Sequence, residues 1–140
     1  MEFIRHSDIV SLRNGGVTSE QLLFPENFGS QRMTITRVTI APGARSPRHT
    51  HPSSEQSWVA LKGSACLLLA DDGRQPIAQG DVVRFADGDV HGVENVGTAE
   101  FVYLSITSPP INFRAAYARP WSDAGSGTRD TADNANTAGT

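Results

Sequence analysis

The residues best suited to chemistry in this chain are histidines, two of which are separated by a single position. The chain has four histidines among 140 residues, and His49 and His51 follow a segment that contains Pro47. Side chains two apart on an extended strand share a face, so both imidazoles can direct nitrogen lone pairs at one point. Such nitrogens bind zinc, iron, nickel or copper at roughly 2.0 to 2.2 Å. Taken alone, the pair more often indicates two solvated polar residues on the rim of a loop.

A longer pattern surrounds the histidine pair and is followed by a second motif. The first motif reads glycine, five residues, His-x-His, four residues, a polar side chain, six residues, glycine. The second reads glycine, five residues, a Pro-x-Gly position, two residues, histidine, three residues, asparagine. The residues at these positions are Gly43, His49, His51, Gln56 and Gly63 in the first motif and Gly80, Ala86, Gly88, His91 and Asn95 in the second.

This pattern, over residues 43–95, resembles the two motifs of the cupin superfamily, with alanine in place of the proline. The resemblance implies an all-β fold, a single-domain antiparallel jelly-roll barrel. It also implies a metal site in which His49, His51 and Gln56 come from one hairpin and His91 from a strand that faces it across the barrel. The expected cofactor is one divalent metal ion, with zinc, iron, manganese and nickel not distinguished. Asparagine at the end of the second motif is expected to hydrogen-bond backbone and orient its turn.

The third ligand has two candidates. Cupins usually place glutamate at the position that Gln56 occupies, and Glu55 lies one residue earlier. Alternation along a strand puts Gln56 and Trp58 on one face and Glu55 on the other, which favours Gln56. A neutral amide ligand would leave the ion its full charge and make it a stronger Lewis acid. If Glu55 were the ligand, the site would consist of three histidines and one carboxylate. If Gln56 is the ligand, Glu55 is a surface residue or a base near the metal.

Short apolar segments rich in β-branched residues recur about every ten residues, with turn residues between them. This spacing predicts an antiparallel sandwich or barrel rather than alternating strands and helices. The second and third segments, split by Lys62-Gly63, are predicted to form a hairpin. The predicted strands are Met33–Ile40, Trp58–Leu61, Ser64–Leu69, Val82–Phe85 and Glu100–Thr107.

The chain is predicted to form one domain. Residues 1–121 are assigned to the barrel with an N-terminal strand. Residues 122–140 contain small and polar side chains without an aromatic or branched aliphatic residue, so the sequence predicts a disordered tail there.

Charge and composition narrow the partners. The formal net charge is −3 and no segment clusters Lys or Arg, so we expect no nucleic-acid partner. Cys66 is the single cysteine and lies in an apolar run, which excludes an internal disulfide. No run approaches the roughly twenty apolar residues of a membrane span, and the N-terminus lacks the apolar core of a signal peptide. We therefore expect a cytoplasmic protein with no membrane partner.

Other side chains have two interpretations each. Trp58, Phe101 and Tyr103 could line a cavity near the metal or could simply pack in the core. Arg37 and Arg84 could pair with an anionic substrate, although outward-facing strand positions explain them more simply. The resemblance to cupins also implies a homodimer, for which the candidate contacts are Phe3, Ile4, Ile9 and Val10.

The leading functional hypothesis is a metal-dependent enzyme that acts on a small, oxygen-rich organic substrate. The ion would polarise a carbonyl or enolate oxygen while a nearby group moves a proton, as in a cyclase, isomerase or lyase. The opening residues 5–8 are similar to cupin-type polyketide cyclases, which makes polyketide cyclisation the narrower expectation. A dioxygenase with a redox metal and a noncatalytic small-molecule binding cupin are the alternatives. No catalytic residue beyond the ligands is assigned.

Overall fold

The computed structural model describes residues 1–121, so the predicted tail at 122–140 lies outside the described residues. Within that range the chain forms ten strands and one short α-helix. Their bounds are β1 Val10–Asn14, β2 Val17–Leu23, β3 Thr34–Ile40, β4 Arg45–His49, β5 Glu55–Lys62, β6 Ser64–Leu69, β7 Arg74–Ala78, β8 Val82–Phe85, β9 His91–Glu94, β10 Phe101–Ser108 and α1 Arg114–Tyr117.

The strands form two antiparallel sheets. The first has six strands in the order β1-β2-β3-β10-β5-β8, and the second has four in the order β4-β9-β6-β7. From β3 to β10 the chain passes from one sheet to the other at every connection except that between β6 and β7. This topology confirms the predicted all-β antiparallel jelly roll, because the strands that follow one another in sequence mostly face one another across the core.

The hairpin predicted around Lys62-Gly63 is wrong. Strand β5 belongs to the six-stranded sheet and β6 to the four-stranded sheet, so the two strands are not hydrogen-bonded to each other. Gly63, the single residue between them, has φ +77°, and a Cβ there would collide with the Glu100 carbonyl oxygen. One residue is too short to reverse the chain into a hairpin, and it bends the chain from one sheet into the other instead. The real hairpin joins β6 to β7 around Ala70–Asp72.

The inner face of the six-stranded sheet is divided into an apolar part and a polar part. Tyr103 stacks on Trp58 with ring centroids 4.0 Å apart, so Phe101 and Tyr103 belong to the core. The buried apolar residues of this face include Val17, Val38, Ile40, Ala60, Phe101 and Tyr103. The buried polar residues are Ser19, Gln21, Thr34, Thr36, Gln56, Ser105 and Thr107.

Arg37 and Arg84 lie on the outer faces of their strands and form ion pairs there. Arg37 pairs with Glu20 at 2.8 Å between Nε and Oε2, as expected for an outward-facing position. Phe3 and Val10 are exposed, and the homodimer that they were proposed to support stays a prediction. No helix among residues 1–121 has the length and apolar character needed to span a bilayer.

Candidate metal centre

Three histidines meet at one end of the four-stranded sheet. His49 is the last residue of β4 and His91 the first of β9, and the two are paired directly across the ladder. His51 lies two residues beyond the end of β4. The expectation that His91 comes from a strand across the barrel is therefore wrong. The jelly-roll order inserts β9 between β4 and β6, which makes His49 and His91 neighbours within one sheet.

Gln56 approaches this histidine cluster from the opposite sheet. It lies on β5, whereas β4 belongs to the other sheet, so the predicted origin of Gln56 in one hairpin with His49 and His51 is also wrong. The five residues between β4 and β5 cross from one sheet to the other. The cavity between the sheets is lined by His49, His51 and Gln56 together.

The three imidazoles are close enough to share one ion. One nitrogen from each ring lies within 4.8 Å of the corresponding nitrogens of the other two. The ring centroids are 4.5 Å apart for His49 and His91, 4.9 Å for His49 and His51, and 5.1 Å for His51 and His91. The structure thus brings all three predicted histidine ligands together.

The hydrogen bonds of two rings fix the nitrogen that remains for a metal. His49 Nδ1 lies 2.8 Å from the Pro47 carbonyl oxygen, and His91 Nδ1 lies 2.9 Å from that of Asp89. A carbonyl oxygen only accepts hydrogen bonds, so we assign the proton of each ring to Nδ1 and the lone pair to Nε2. Metal-bound histidines commonly donate their other N–H to a carbonyl in this way.

The ring nitrogens that could face an ion include some without a partner among the described residues. Within residues 1–121, His91 Nε2 and both ring nitrogens of His51 are buried and have no hydrogen-bond partner. Buried polar atoms in folded proteins are nearly always paired, and an exception calls for an explanation. A divalent ion fits, because it would take lone pairs that the protein itself leaves unused.

Burial also keeps these rings in the form that binds a metal. Desolvation, with a smaller contribution from the charge of His91, lowers the pKa of His51 from 6.5 to about 3. Desolvation lowers the pKa of His91 to about 4, although Asp89 partly opposes the shift through its carbonyl and its charge. Both rings are therefore neutral at pH 7, and their lone pairs are available without loss of a proton.

The amide of Gln56 is held at both ends. Its Nε2 donates to Thr107 Oγ1 at 2.8 Å, and its Oε1 accepts the indole N–H of Trp58 at 2.7 Å. These contacts fix the direction of the amide and leave the oxygen one further lone pair. Gln56 as the fourth ligand stays a prediction. Glu55 faces the other way and pairs with Arg84 at 2.6 Å on the outer surface, so the structure excludes it from the site.

A small cavity, partly open to solvent, lies beside the histidine cluster. One of its walls comes from α1 and the residues around it, which the sequence patterns did not indicate. Their only signal was a set of aromatic residues after Pro109-Pro110. The Phe113 ring is 6.1 Å from that of His51. The lining residues are Ser19, Thr36, Val38, Ser46, His49, His51, Gln56, Ser105, Phe113, Ala116, Tyr117 and Trp121.

The end of the second motif has the structural role that was predicted for it. Asn95 is fully buried, and its Nδ2 donates to the carbonyl oxygens of Ile40 at 2.9 Å and Ala99 at 2.8 Å. Ala86, which replaces the usual proline, donates its N–H to Asp89 Oδ2 at 2.9 Å. Proline could not make that bond, so a carboxylate-capped turn takes over the task of the missing ring.

Proteins of similar sequence and of similar fold are known. Auxin-binding protein 1 of Arabidopsis thaliana is 36% identical over 92 residues, which are 59% of this chain and 46% of that protein, so the chain spans less than half of that relative's length. The polyketide cyclase RemF of Streptomyces resistomycificus has the same fold, with a TM-score of 0.67, 22% identity and coverage of 77% of this chain and 79% of that one.

A predicted oxalate decarboxylase from Thermotoga maritima superposes with a TM-score of 0.66 and 22% identity over 76% of this chain and 98% of that one. At these identities the two structures show the fold alone. The cupin domain family matches residues 36–107, which are just over half of the chain and include the whole of both motifs. The chain therefore belongs to the cupin family.

Proposed function

We propose that this protein is a metal-dependent enzyme that acts on a small, oxygen-rich organic substrate through Lewis-acid and proton-transfer chemistry. The observation that carries the proposal is the set of buried, neutral and unpartnered imidazole nitrogens of His51 and His91, which lie next to His49. A bound divalent ion would supply electrophilic polarisation of a carbonyl or enolate oxygen. His49, His51 and His91 would hold it, with Gln56 as the fourth ligand.

The chain itself contributes the orientation of the groups that would hold the ion. The carbonyls of Pro47 and Asp89 hold two of the imidazoles in one tautomer and one direction. Trp58 and Thr107 do the same for the Gln56 amide. A site preorganised in this way loses little freedom when it binds substrate.

Reactions of the cyclase, isomerase or lyase type fit this chemistry, because they need polarisation of an oxygen and movement of a proton but no external oxidant. The proteins of similar fold include one named as a polyketide cyclase and one as a predicted oxalate decarboxylase, which are a cyclase and a lyase by name. Cyclisation of a poly-β-ketone is the narrower proposal, because such a substrate carries several carbonyl oxygens that an ion could polarise.

Metal analysis is the first test. Protein purified without chelators should hold about one equivalent of a divalent metal, and a His51→Ala variant should lose it. His6→Ala is the matched control, since His6 is exposed on a short N-terminal turn away from the cluster. A wild-type protein that holds no metal and does not bind added zinc would contradict the proposal.

Activity is tested on the metal-loaded protein with short poly-β-ketones, with and without oxygen. We expect turnover that is independent of oxygen and products that are isomers of the substrate or differ by the loss of water or carbon dioxide. Consumption of oxygen during turnover would instead identify a dioxygenase. Unchanged substrates, bound with measurable affinity, would identify a noncatalytic binding protein.

A further inference from the structure

Three hydroxyl side chains line the cavity from the six-stranded sheet, and the metal site does not account for them. This hydroxyl row consists of Ser19 on β2, Thr36 on β3 and Ser105 on β10. Thr36 and Ser105 are direct register partners, and all three side chains are at most 4% exposed. Inward-facing positions of a barrel normally hold apolar side chains, because burying a hydroxyl without a partner is unfavourable. Because these hydroxyls line the cavity, a molecule bound there could exchange hydrogen bonds with them.

A buried glutamine, Gln21, lies next to the row and orients the hydroxyl of Ser19. Gln21 Nε2 donates to the hydroxyl oxygen of Ser19 at 2.9 Å and to its carbonyl oxygen at 3.0 Å. Because Ser19 Oγ accepts this bond, its own proton is left to donate elsewhere. Gln21 is the register partner of Thr36 on the neighbouring strand. Its Oε1 is buried and accepts no hydrogen bond from residues 1–121. The row and its glutamine thus provide both donors and acceptors.

The wall around the row carries no fixed charge. The residues that line the cavity include neither Lys nor Arg, neither Asp nor Glu. The nearby buried Arg48 is committed to the backbone, since its guanidinium donates to the carbonyl oxygens of Leu69 and Gly73. Apart from the ion that the histidines would hold, no cation from residues 1–121 lines the cavity, so a phosphate placed against the row and away from that ion would be desolvated without a charged partner, which is costly.

Aromatic side chains form a further wall of the same cavity. Phe113, Tyr117 and Trp121 all line it, and the rings of Tyr117 and Trp121 are 4.9 Å apart. Aromatic side chains of this kind pack against the faces of ring compounds, whether the ring is aromatic or saturated. A ligand that met all of these surfaces would expose ring faces to them and oxygens to the hydroxyl row.

We propose that the hydroxyl row is a recognition subsite for an uncharged ring compound that carries hydroxyl or keto oxygens. The proposal rests on the proposed function, because the ion that the three histidines would hold would bind one oxygen of the molecule while the row binds the oxygens farther from it. The subsite selects against phosphorylated substrates of similar size.

The test measures binding of three probes to zinc-loaded protein by isothermal titration calorimetry. Phloroglucinol is a neutral aromatic ring with hydroxyl groups, and myo-inositol is a neutral saturated ring with hydroxyl groups. Glucose 6-phosphate carries a negative phosphate, for which the cavity wall described above has no Lys or Arg. We expect at least one neutral probe to bind more tightly than glucose 6-phosphate. The neutral probe that binds more tightly also tells whether the ring is aromatic or saturated.

Two variants remove single hydroxyls with little change of shape, namely Thr36→Val and Ser105→Ala. Each should weaken binding of the neutral probe by about three- to tenfold, as expected for one neutral hydrogen bond, and should leave zinc affinity unchanged. Thr39→Val is the matched control, because Thr39 lies on the same strand but faces outward. It should change neither zinc nor probe affinity.

The outcomes separate this inference from the proposed function. Loss of zinc binding in the wild type would overturn the function. If zinc binds normally, the proposed function stands and three results would each overturn the subsite alone. These are tighter binding of glucose 6-phosphate than of both neutral probes, no binding of any probe at millimolar concentration, or binding of the neutral probe to both hydroxyl variants as to the wild type.

Discussion

Acid should destabilise the metal-free protein well above the pH at which its carboxylates titrate. The perturbation is a change from pH 7 to about pH 5 in the presence of a chelator. In the unfolded chain His51 and His91 have the ordinary histidine pKa of 6.5, whereas in the fold burial lowers the pKa values to about 3 and about 4. Between these limits the unfolded chain binds more protons than the folded one, so the free energy of unfolding falls as the pH falls.

The size of the effect follows from the pKa values. At about pH 5 both rings remain neutral in the fold, while the unfolded chain is stabilised by protonation 1.5 pH units below its histidine pKa. One pKa unit corresponds to about 1.4 kcal/mol, so each histidine contributes about 2 kcal/mol and the pair about 4 kcal/mol. This is a large share of the roughly 5 to 15 kcal/mol that holds an ordinary domain folded.

Urea denaturation of the metal-free protein at several pH values measures this slope. A His51→Gln/His91→Gln double variant should lose most of the pH dependence between pH 7 and 5, whereas His6→Ala should retain it. If the wild-type free energy of unfolding is the same at both pH values, then the two imidazoles are not buried in their neutral form, and the metal site as described here does not exist.

Three further substitutions test the site and its supports. Gln56→Ala should weaken zinc affinity by about tenfold or more in a chelator competition assay, whereas Glu55→Ala should leave it unchanged. If the Gln56→Ala variant binds zinc as tightly as the wild type, Gln56 is not a ligand. Gly92→Ala should weaken zinc binding without touching a ligand, because the new Cβ would lie 2.6 Å from the Ser46 carbonyl oxygen and force β4 away from β9. Asn95→Ala should lower the free energy of unfolding by about 2 kcal/mol in urea, since the buried Ile40 carbonyl and the partly buried Ala99 carbonyl lose their donor. A much smaller loss would show that water replaces the amide.

The three histidines that meet in the structure could be predicted because their positions match the two motifs of the cupin superfamily. His49 and His51 are two residues apart, and the glycines on either side mark turns, two of which have positive φ at Gly43 and Gly63. The choice between Gln56 and Glu55 also followed from local alternation, since adjacent strand residues face opposite sides. Information of this kind lies within a few residues and does not depend on the partner of a strand.

The assignment of strands to sheets could not be predicted in the same way. Lys62-Gly63 resembles a hairpin turn, yet the chain passes into the other sheet there, because the partners of β5 are β8 and β10, far away in sequence. The pairing of His49 with His91 likewise depends on β9 lying between β4 and β6. The aromatic wall around α1 was not predicted because no periodic pattern marks four residues of helix.

Strand β4 lies at the rim of its sheet, with β9 as its only hydrogen-bonded neighbour among the described strands. Pro47 supplies no amide hydrogen, and the pairing of β4 with β9 is interrupted between Ser46 and His49. The end of β4 is therefore attached more weakly than a central strand, and one ion shared by His49 and His91 would cross-link it to its neighbour. Chelation should speed amide hydrogen exchange in β4 first, so that occupancy of the site determines how firmly this rim stays closed.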